Sequence, residues 1–459
     1  MENLTAVILA AGQGTRMKSQ WPKVLHKVCG VPMAEQVIRT VKKAGFEKCV
    51  VITGFKEELV RESLAGEKIY FVHQEEQLGT AHAVMQAVPL FKDIRDGYVL
   101  VVCGDTPLLR RETIESLARA CRDHDGAAAV LTAIMDNPFG YGRVLRDTEG
   151  HMTSIVEQKD GTPEQLAVHE INTGTYIFKA GALLDSLEKV DNKNAQGEYY
   201  LTDVFEILIK AGRKVIPVLA EDASETMGVN SRIQLAEADR ILRLRKAEEL
   251  MAEGVTITDP YNTYIEQDVE VGQDTVILPG TMLQGKTKVG KNCILGPGTQ
   301  LTNVICGDGN HLNRVYAHSC KLGDNNEIGP FAHLRPDTRL HNDIKIGNFV
   351  EVKNSDVGDG TKLPHLIYCG DSDLGKNVNF GCGTVTVNFD GKTKHRCTID
   401  KHAFIGCNTN LVAPVHVGER AFTAAGSTIT KDVPTKALAV GRAKQVNIEN
   451  WVKEDTYKD

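Results

Sequence analysis

Apolar residues recur with a spacing of six in the second half of the chain. Between residues 322 and 352 they stand at Leu322, Ile328, Leu334, Leu340, Ile346 and Val352. A helix repeats its apolar positions about every 3.6 residues and a strand every second residue, so neither element alone gives this spacing. A repeat of six with glycine after several aliphatic residues is typical of a hexapeptide β-helix. The pattern predicts a solenoid that buries its aliphatic side chains.

The same spacing extends well beyond this stretch. It returns at Ile399, Ile405, Leu411, Val417, Thr423 and Ile429, and looser copies precede it at Val271, Val289 and Leu295. Between residues 358 and 398 the rhythm breaks, and irregular segments on a rigid scaffold are where sites are often built. We expect a β-helix domain over residues 254–459, with a site in the interrupted part.

The first half has a different pattern, in which apolar runs alternate with helical segments. The runs at 4–10, 49–52 and 98–102 are typical of buried parallel strands, and residues 56–64 are typical of a helix. This alternation predicts a Rossmann-like, doubly wound α/β domain over residues 1–232. Residues 233–253 carry a loose apolar stripe among many charges and are expected to form a helical linker. By pattern alone, this helix fits equally well as the last one of the first domain.

Composition narrows the class of protein. A chain of 459 residues, 42% of them hydrophobic, is expected to fold into two or three domains. The net charge of −7 and the absence of a basic run argue against nucleic acid as a partner. The 11 cysteines include no C-x-x-C pair, which favours a reduced, cytoplasmic protein without structural zinc. No basic region precedes the first apolar run, so we expect neither a signal peptide nor a membrane span.

A loop of small residues follows the first predicted strand. Small side chains there let backbone N–H groups approach phosphate, and Arg16 and Lys23 supply cations. The loop is neither a Walker motif nor a dinucleotide fingerprint, and a plain strand-to-helix turn is the alternative. Asp105 ends another predicted strand, where a carboxylate can bind a divalent metal or cap the next turn.

Several segments together resemble the sugar-phosphate nucleotidyltransferases. They are residues 9–17, 22–23, 74–83, 104–108, 140–143, 156–159, 170–174 and 194–202. Within that group they are similar to the bacterial bifunctional N-acetylglucosamine-1-phosphate uridyltransferase/glucosamine-1-phosphate acetyltransferases. The resemblance covers essentially the whole chain.

The resemblance implies a set of roles in the first half. Arg16 and Lys23 would act in catalysis on UTP, and Asp105 with Asn230 would ligate Mg²⁺. Asn230 also fits a simple helix N-cap before Ser231. The residues implied to bind UTP or UDP-N-acetylglucosamine are Leu9, Ala10, Ala11, Gly12, Lys23, Gln74, Gly79, Thr80, Cys103, Gly104, Asp105, Gly142, Glu157, Asn172 and Asn230.

In the second half the resemblance implies a left-handed parallel β-helix that assembles as a homotrimer and uses acetyl coenzyme A. His365 would be the general base, since a neutral imidazole can take a proton from an amine at cytosolic pH. Arg335 and Lys353 would bind the phosphate of glucosamine 1-phosphate, and Tyr368 and Asn379 would orient the sugar. The acetyl coenzyme A residues would be Cys382, Asn388, Phe389, Lys394, Cys407, Ala425 and Arg442.

The chain departs from the family pattern around this second site. Leu363 and Pro364 precede His365 where small residues are usual, and proline restricts the backbone that presents the histidine. Phe389 replaces a tyrosine and removes a hydroxyl. Cys382 and Cys407 replace an alanine and a serine, which adds two thiols.

The predicted function is therefore bifunctional. The second half would acetylate glucosamine 1-phosphate, and the first half would couple the product to UTP, which supplies peptidoglycan and lipopolysaccharide precursors. One alternative is a single-activity sugar-phosphate nucleotidyltransferase whose β-helix serves only assembly or regulation. Another is a non-catalytic assembly subunit, which the intact Arg16, Lys23 and Asp105 disfavour.

Overall fold

The computed structural model describes residues 3–452, and the chain divides into two compact units after Leu242. The first unit is a mixed α/β fold. Its strands are β1 (Leu4–Leu9), β2 (Lys27–Val28), β3 (Val31–Pro32), β4 (Lys48–Thr53), β5 (Tyr70–His73), β6 (Tyr98–Cys103), β7 (Ala128–Ile134), β8 (Arg143–Arg146), β9 (Met152–Val156), β10 (Glu170–Lys179) and β11 (Val215–Leu219).

Eight helices accompany these strands along the chain. They are α1 (Met33–Lys43), α2 (Glu57–Ser63), α3 (Thr80–Phe91), α4 (Arg111–Asp123), α5 (Pro163–Leu166), α6 (Ala180–Leu187), α7 (Asp203–Lys210) and α8 (Arg232–Ala252) among the described residues. The predicted segments 4–10, 49–52, 56–64 and 98–102 correspond to β1, β4, α2 and β6. The periodicity was therefore sufficient to locate these elements.

The central sheet has the strand order β11-β7-β10-β6-β1-β4-β5. β1 pairs in parallel with β4 and β6, as near-continuous apolar strands do. β10 is antiparallel to both β6 and β7, so the sheet is mixed rather than wholly parallel. An antiparallel strand needs no helical crossover, and the alternation of strands and helices could not reveal it.

Helices cover both faces of this sheet. On one face α1 and α4 bury Val37, Ile38 and Leu117 in a single cluster with β1 and β6. On the other face α3, α6 and α7 bury their apolar stripes, including Val84 and Phe205. Each fully buried aliphatic side chain contributes about 1.5–3 kcal/mol. The loops that follow β1 and β6 are thus held on a rigid, doubly covered sheet.

The second unit is a parallel β-helix with three flat faces. Face one contains Thr256–Ile257, Val276–Ile277, Ile294–Leu295, His311–Leu312, Glu327–Ile328, Lys345–Asn348, Lys362–His365, Asn379–Phe380, Phe404–Ile405, Phe422–Thr423 and Leu438–Ala439. Face two contains Tyr264–Ile265, Met282–Gln284, Gln300–Thr302, Val315–His318, Ala332–Leu334, Val350–Lys353, Tyr368–Gly370, Val385–Val387, Asn410–Val412 and Thr428–Ile429. Face three contains Glu270–Val271, Lys288–Val289, Ile305–Cys306, Lys321–Leu322, Arg339–Leu340, Asp356–Val357, Ser372–Leu374, Cys397–Ile399 and Val415–Val417.

The residues spaced by six form the interior of this β-helix. Leu322, Ile328, Leu334, Leu340 and Ile346 are all buried in one continuous cluster. Successive coils pair in register, as in Leu334 with Val352. The hexapeptide prediction is confirmed, because one aliphatic residue per face is what each triangular coil buries.

The expected interruption between residues 358 and 398 is much shorter in the structure. Strands continue through Lys362–His365, Tyr368–Gly370, Ser372–Leu374, Asn379–Phe380 and Val385–Val387. Only residues 388–396, here called the arm, leave the coil. The wider estimate was wrong because Cys369, Ser372 and Thr386, which are not aliphatic, are buried in this stretch and hide the rhythm.

α8 is the helix that was expected as a linker, and the division of the chain falls within it. Ala238 and Leu242 pack in a cluster of the first unit, whereas Ala247 and Leu250 pack in the core of the second. Among residues 3–452, no helix is long and apolar enough to cross a membrane.

Two candidate active sites

A cavity of about 330 Å³ opens at the carboxyl ends of β1 and β6 in the first unit. The predicted residues that line it are Leu9, Ala10, Ala11, Gly12, Lys23, Gln74, Gly79, Thr80, Cys103 and Asp105. Val24, Gln77, Ala83 and Glu198 complete the wall. The sheet therefore brings together loops that the sequence separates by about a hundred residues, as parallel strands do at one edge.

Lys23 joins the two residues that were predicted to ligate metal. Its Nζ donates to Oδ2 of Asp105, and it donates to Oδ1 of Asn230 over 2.8 Å. Two side-chain oxygen atoms thus face one ammonium group. Carboxylate and amide oxygens are also suitable ligands for Mg²⁺. The residues present fit a magnesium ion held together with phosphate. Asn230 is not the cap of α8, because Ser231 Oγ accepts from the N–H of Gln234.

Backbone hydrogen bonds fix the loop of small residues. The N–H of Ala10 donates to the carbonyl of Ile52, and the N–H of Gly104 donates to the carbonyl of Leu9 over 2.9 Å. The Gln77 amide donates to the carbonyl of Ala11. These bonds tie the loop to the ends of β4 and β6.

Arg16 is exposed beside this cavity. Its charge reaches Tyr141, whose pKa is raised by burial and by the nearby carboxylate of Asp105. Arg16, Asp105 and Tyr141 therefore share one electrostatic environment. The charge of Arg16 therefore acts near the carboxylate of Asp105.

Three further predicted residues cluster along β8, β9 and β10. The N–H of Asn172 donates to the carbonyl of Gly142, and a Cβ atom at Gly142 would lie 3.3 Å from Oε1 of Glu157. Burial raises the pKa of Glu157, although the hydroxyl of Thr202 donates to it over 3.2 Å. Glu157 lines a neighbouring cavity of about 460 Å³ rather than the first one. Burial also raises the pKa of the Cys103 thiol to about 12, which favours the neutral thiol over the thiolate.

Arg143 is a residue that the sequence reasoning missed, although it stands in one of the matched segments. It is 2% exposed, and its guanidinium donates to the carbonyls of Tyr141 and Leu166 and to Oε1 of Gln158. The same Gln158 oxygen accepts from the N–H of Gly140 over 2.9 Å. This Arg143–Gln158 clamp holds the loop that ends at Gly142. The signal available in the sequence was a charged residue directly after Gly142 in a matched segment, and its burial shows only in the structure.

The second unit holds a cluster of cations on face two. Lys353 Nζ lies 3.7 Å from Oδ2 of Asp371, and the pKa of Lys394 is lowered because the Lys353 ammonium lies beside it. Two adjacent ammonium groups favour an anion such as phosphate. Arg335 is close in the fold but donates to Glu351 over 2.8 Å.

Asp371 organises this cluster and was not predicted. Its carboxylate is buried and accepts from the amides of Asn354, over 2.6 Å, and of Asn388. Burial alone would raise its pKa, but these hydrogen bonds and the charge of Lys353 hold the pKa below its ordinary value. The Asn388 amide also reaches the hydroxyl of Tyr368 at 3.4 Å. The predicted Lys353, Tyr368, Asn388 and Lys394 are thus brought together around an anionic residue.

His365 lies at the end of a strand of face one and is exposed. Its Nδ1 lies 3.0 Å from Oδ1 of Asn348, its register partner on the preceding coil. An amide oxygen only accepts, so Nδ1 carries the proton and Nε2 keeps a free lone pair.

Leu363 is buried in the core and Pro364 lies within the strand, so these two residues continue a regular coil instead of an irregular loop.

The predicted acetyl coenzyme A residues mostly follow one corner of the β-helix. The N–H of Gly383 donates to the carbonyl of His365, that of Asn408 to Cys382, and that of Gly426 to Cys407. Residues Cys382, Cys407 and Ala425 therefore stand on successive coils below His365, and Arg442 follows the last strand of face one. Phe389 and Lys394 face each other as a bridge in the arm, and Asn379 lies on face one. The row formed by Cys382, Cys407 and Ala425 on successive coils is here called the corner track.

Cys407 is exposed and Cys382 is partly exposed. Most of the other thiols are buried, and burial raises the pKa of Cys369 and Cys320 to about 12. The two cysteines that replace usual family residues are thus among the accessible thiols of the chain.

Comparison with known proteins agrees with both units. Residues 6–163 match the family model of the MobA-like NTP transferase domain, and residues 268–303 match that of the bacterial transferase hexapeptide (six repeats). The bifunctional protein GlmU of Geobacillus sp. (strain WCH70) is 51% identical over 447 residues, which are 97% of each chain. That of Listeria welshimeri is 51% identical over 99% of each chain, and that of Geobacillus thermodenitrificans is 52% identical over 97% of each.

The fold and the two sites define a transferase in which an NTP transferase unit is followed by a hexapeptide transferase unit. Identity of about half over nearly the full length leaves no part of this arrangement unmatched. The chain belongs to the family of the bifunctional protein GlmU. It is a bifunctional enzyme, a nucleotidyltransferase and an acyltransferase.

Proposed function

We propose that residues 254–459 transfer an acetyl group from acetyl coenzyme A to glucosamine 1-phosphate. Residues 1–232 then transfer UMP from UTP to the resulting N-acetylglucosamine 1-phosphate and release pyrophosphate, with residues 233–253 as the linker. Each unit has its own group of cations for a phosphorylated substrate, Lys23 beside Asp105 in one and Lys353 beside Lys394 in the other. This duplication is the observation that carries the proposal.

In uridylyl transfer a phosphate oxygen of the sugar attacks the α-phosphate of UTP in line. Such a reaction needs positioning and charge neutralisation more than a covalent nucleophile. Lys23 and Arg16 neutralise phosphate oxygens, and the backbone of residues 10–12 approaches them closely. Asp105 and Asn230 would hold Mg²⁺, which would neutralise further phosphate charge when bound.

The sugar would lie against Gly142, Glu157 and Asn172. The absence of a side chain at Gly142 leaves space in front of the Glu157 carboxylate, which can accept from sugar hydroxyl groups. The Arg143–Gln158 clamp keeps this loop in position before substrate arrives, which lowers the ordering cost on binding.

In acetyl transfer His365 takes a proton from the 2-amino group as that nitrogen attacks the thioester carbonyl. Asn348 supports this role because it fixes the imidazole tautomer with Nε2 free. Lys353 and Arg335 bind the sugar phosphate, and Tyr368 and Asn379 orient the sugar. Lys394 and Asn388, which the resemblance assigned to coenzyme A, are proposed to act at the sugar instead, because Lys394 lies beside Lys353 and the Asn388 amide reaches Tyr368. The corner track of Cys382, Cys407 and Ala425, with Phe389 and Arg442, would hold coenzyme A.

We propose a homotrimer in the cytoplasm that acts on small molecules. Aromatic side chains exposed along one corner support assembly, since Phe331 and Phe349 stack at 5.5 Å and are about half exposed. Exposed apolar rows of this kind are typical of surfaces that other subunits cover.

Two assays on the full chain test the function. Release of free thiol from acetyl coenzyme A must depend on glucosamine 1-phosphate, and release of pyrophosphate from UTP must depend on N-acetylglucosamine 1-phosphate. Pyrophosphate without thiol would support a β-helix that serves only assembly. Neither product would contradict the proposal as a whole.

A further inference from the structure

Two neighbouring groups hold the side-chain amide of Gln74 through its nitrogen atom. Gln74 is 3% exposed, and its Nε2 lies 3.3 Å from the carbonyl oxygen of Gly79 and 3.0 Å from Nδ1 of His82. An amide nitrogen carries two hydrogens and does not accept, so it donates one to each of these atoms. Both hydrogens are then used. Since Gln74 lines the nucleotide cavity, its Oε1 is the atom that remains for a ligand.

The orientation of Gln74 therefore depends on the tautomer of His82. If Nδ1 accepts from Gln74, the ring proton of neutral His82 is on Nε2. His82 Nε2 lies 3.1 Å from the amide nitrogen of Gln86, which cannot accept a proton, so the Gln86 amide must turn its Oε1 toward the ring to accept it. Gln86 then gives up a bond of 3.2 Å to the His82 carbonyl. Gln86 is less buried than Gln74, so water can replace that bond more easily.

An amide fixed in this way discriminates between pyrimidine bases. Uracil carries a hydrogen on N3 and can donate it to Oε1 of Gln74, whereas N3 of cytosine has only a lone pair. To meet cytosine, the Gln74 amide must rotate by half a turn. Oε1 would then face two acceptors, the Gly79 carbonyl and His82 Nδ1, and both present hydrogen bonds would be lost. Buried acceptors that face each other without a proton between them cost free energy. This cost, which arises only with cytosine, makes the site selective for uracil.

We infer that His82 is a positioning residue that fixes the Gln74 amide and thereby sets the preference for uracil over cytosine in the nucleotide. The inference rests on the proposed function, which puts the base of UTP beside Gln74. Gly79 supports the same geometry, because its φ of 113° and the Tyr199 backbone, 2.5 Å from where a Cβ atom would lie, keep its carbonyl in one position.

The test compares UTP with CTP in the full chain and in three variants. His82→Leu removes the acceptor, and His82→Asn restores one, since its Oδ1 can occupy the place of Nδ1. His124→Leu is the matched control, because it makes the same change at an exposed histidine that follows α4. Two quantities are measured for each nucleotide, the Kd by calorimetry and the kcat/KM for pyrophosphate release.

We expect His82→Leu to lower the UTP-to-CTP ratio of kcat/KM about tenfold and to raise the UTP-to-CTP ratio of Kd by about the same factor, the usual effect of one lost hydrogen bond. His82→Asn and His124→Leu should keep both ratios within about threefold of those of the unmodified chain. Equal losses for UTP and CTP in His82→Leu would make His82 merely structural and overturn the inference. So would equal Kd values for the two nucleotides in the unmodified chain. If that chain binds UTP selectively but releases no pyrophosphate, the proposed function fails while the Kd ratios still decide the role of His82.

Discussion

Lys23 Nζ donates to Oδ1 of Asn230 over 2.8 Å, although 207 residues separate the two in sequence. The contact brings the segment before α8 onto the loop that follows β1, and the N–H of Val229 reinforces it with a bond of 2.9 Å to the carbonyl of Asp105. The loops around the cavity at the ends of β1 and β6 are therefore joined by the segment before α8, and this arrangement is complete only when the first unit has folded.

Removal of the Lys23 charge should abolish most uridylyl transfer. We expect Lys23→Met to lower kcat for pyrophosphate release by about 10²–10³, the range found when one charge-stabilising donor is removed from a transition state. Acetyl transfer should be unchanged. The control is Lys27→Met, an exposed lysine on β2. Comparable loss in the control, or loss of thiol release in Lys23→Met, would show a general effect on folding.

Loss of the Arg143–Gln158 clamp should weaken sugar binding selectively. Arg143→Met removes the guanidinium donor from three oxygen atoms, of which Oε1 of Gln158 keeps the N–H of Gly140, and it frees the loop before Gly142. We expect the KM for N-acetylglucosamine 1-phosphate to rise about tenfold while the KM for UTP stays within about twofold. Steady-state pyrophosphate release measures both. Arg146→Met, which breaks a more exposed pair with Glu170, is the control. A parallel rise in both KM values would contradict the clamp.

The two activities should separate at His365. His365→Ala should lower acetyl transfer by about two to four orders of magnitude, the size of a general-base effect, and leave uridylyl transfer intact. Asn348→Ala should cost less, about tenfold, because the imidazole remains but its tautomer is no longer fixed. His416→Ala, a histidine paired with Asp400 on face three, is the control for thiol release. Full acetyl transfer in His365→Ala would assign the base to another residue.

Asp203 should make the stability of the first unit depend on pH. Burial, and then the charges of Glu206, Asp191 and Asp160, raise its pKa from 3.8 to about 6. The folded state therefore binds this proton more tightly than the unfolded state does. The stability that this proton contributes is present at low pH and is lost as pH rises from about 4 to 6. We compare the free energy of unfolding of Asp203→Asn with that of the unmodified chain. After allowance for solvent screening, this difference should favour the variant by about 1 kcal/mol more at pH 8 than at pH 4.5.

Urea unfolding followed by circular dichroism at 222 nm measures this gain, because the helical signal comes mainly from the first unit. Asp93→Asn, an exposed aspartate after α3, is the control and should show no such dependence on pH. A gain for Asp203→Asn that is the same at both pH values would mean that the carboxyl titrates normally.

Much of the fold could be predicted because it follows from local periodicity. The spacing of six at Leu322 and Ile328 places one aliphatic residue inside each face, and no tertiary information is needed to interpret it. The antiparallel β10 could not be foreseen, since its pairing with β6 and β7 depends on a connection without any periodic mark.

Residues of the candidate sites were predictable where the chain matches a family motif. Residues that only support those side chains were not. Asp371, Asn348 and Arg143 do not contact a substrate in the proposed scheme. They act through Asn388, His365 and Gly142, and such contacts depend on register between coils or strands that only coordinates reveal. The roles of the predicted site residues remain predictions for the assays above.

The arm leaves the β-helix without changing the pairing on either side of it. Leu340 pairs with Val357 on a coil of ordinary length, and Ser372 pairs with Cys397 across the arm in the same parallel register. A corner can therefore be lengthened by several residues while the interior stays as it was. New chemistry can arise in such a protein by insertion at its edges, so that evolution, or an engineer, can exchange the acceptor specificity without redesigning the scaffold.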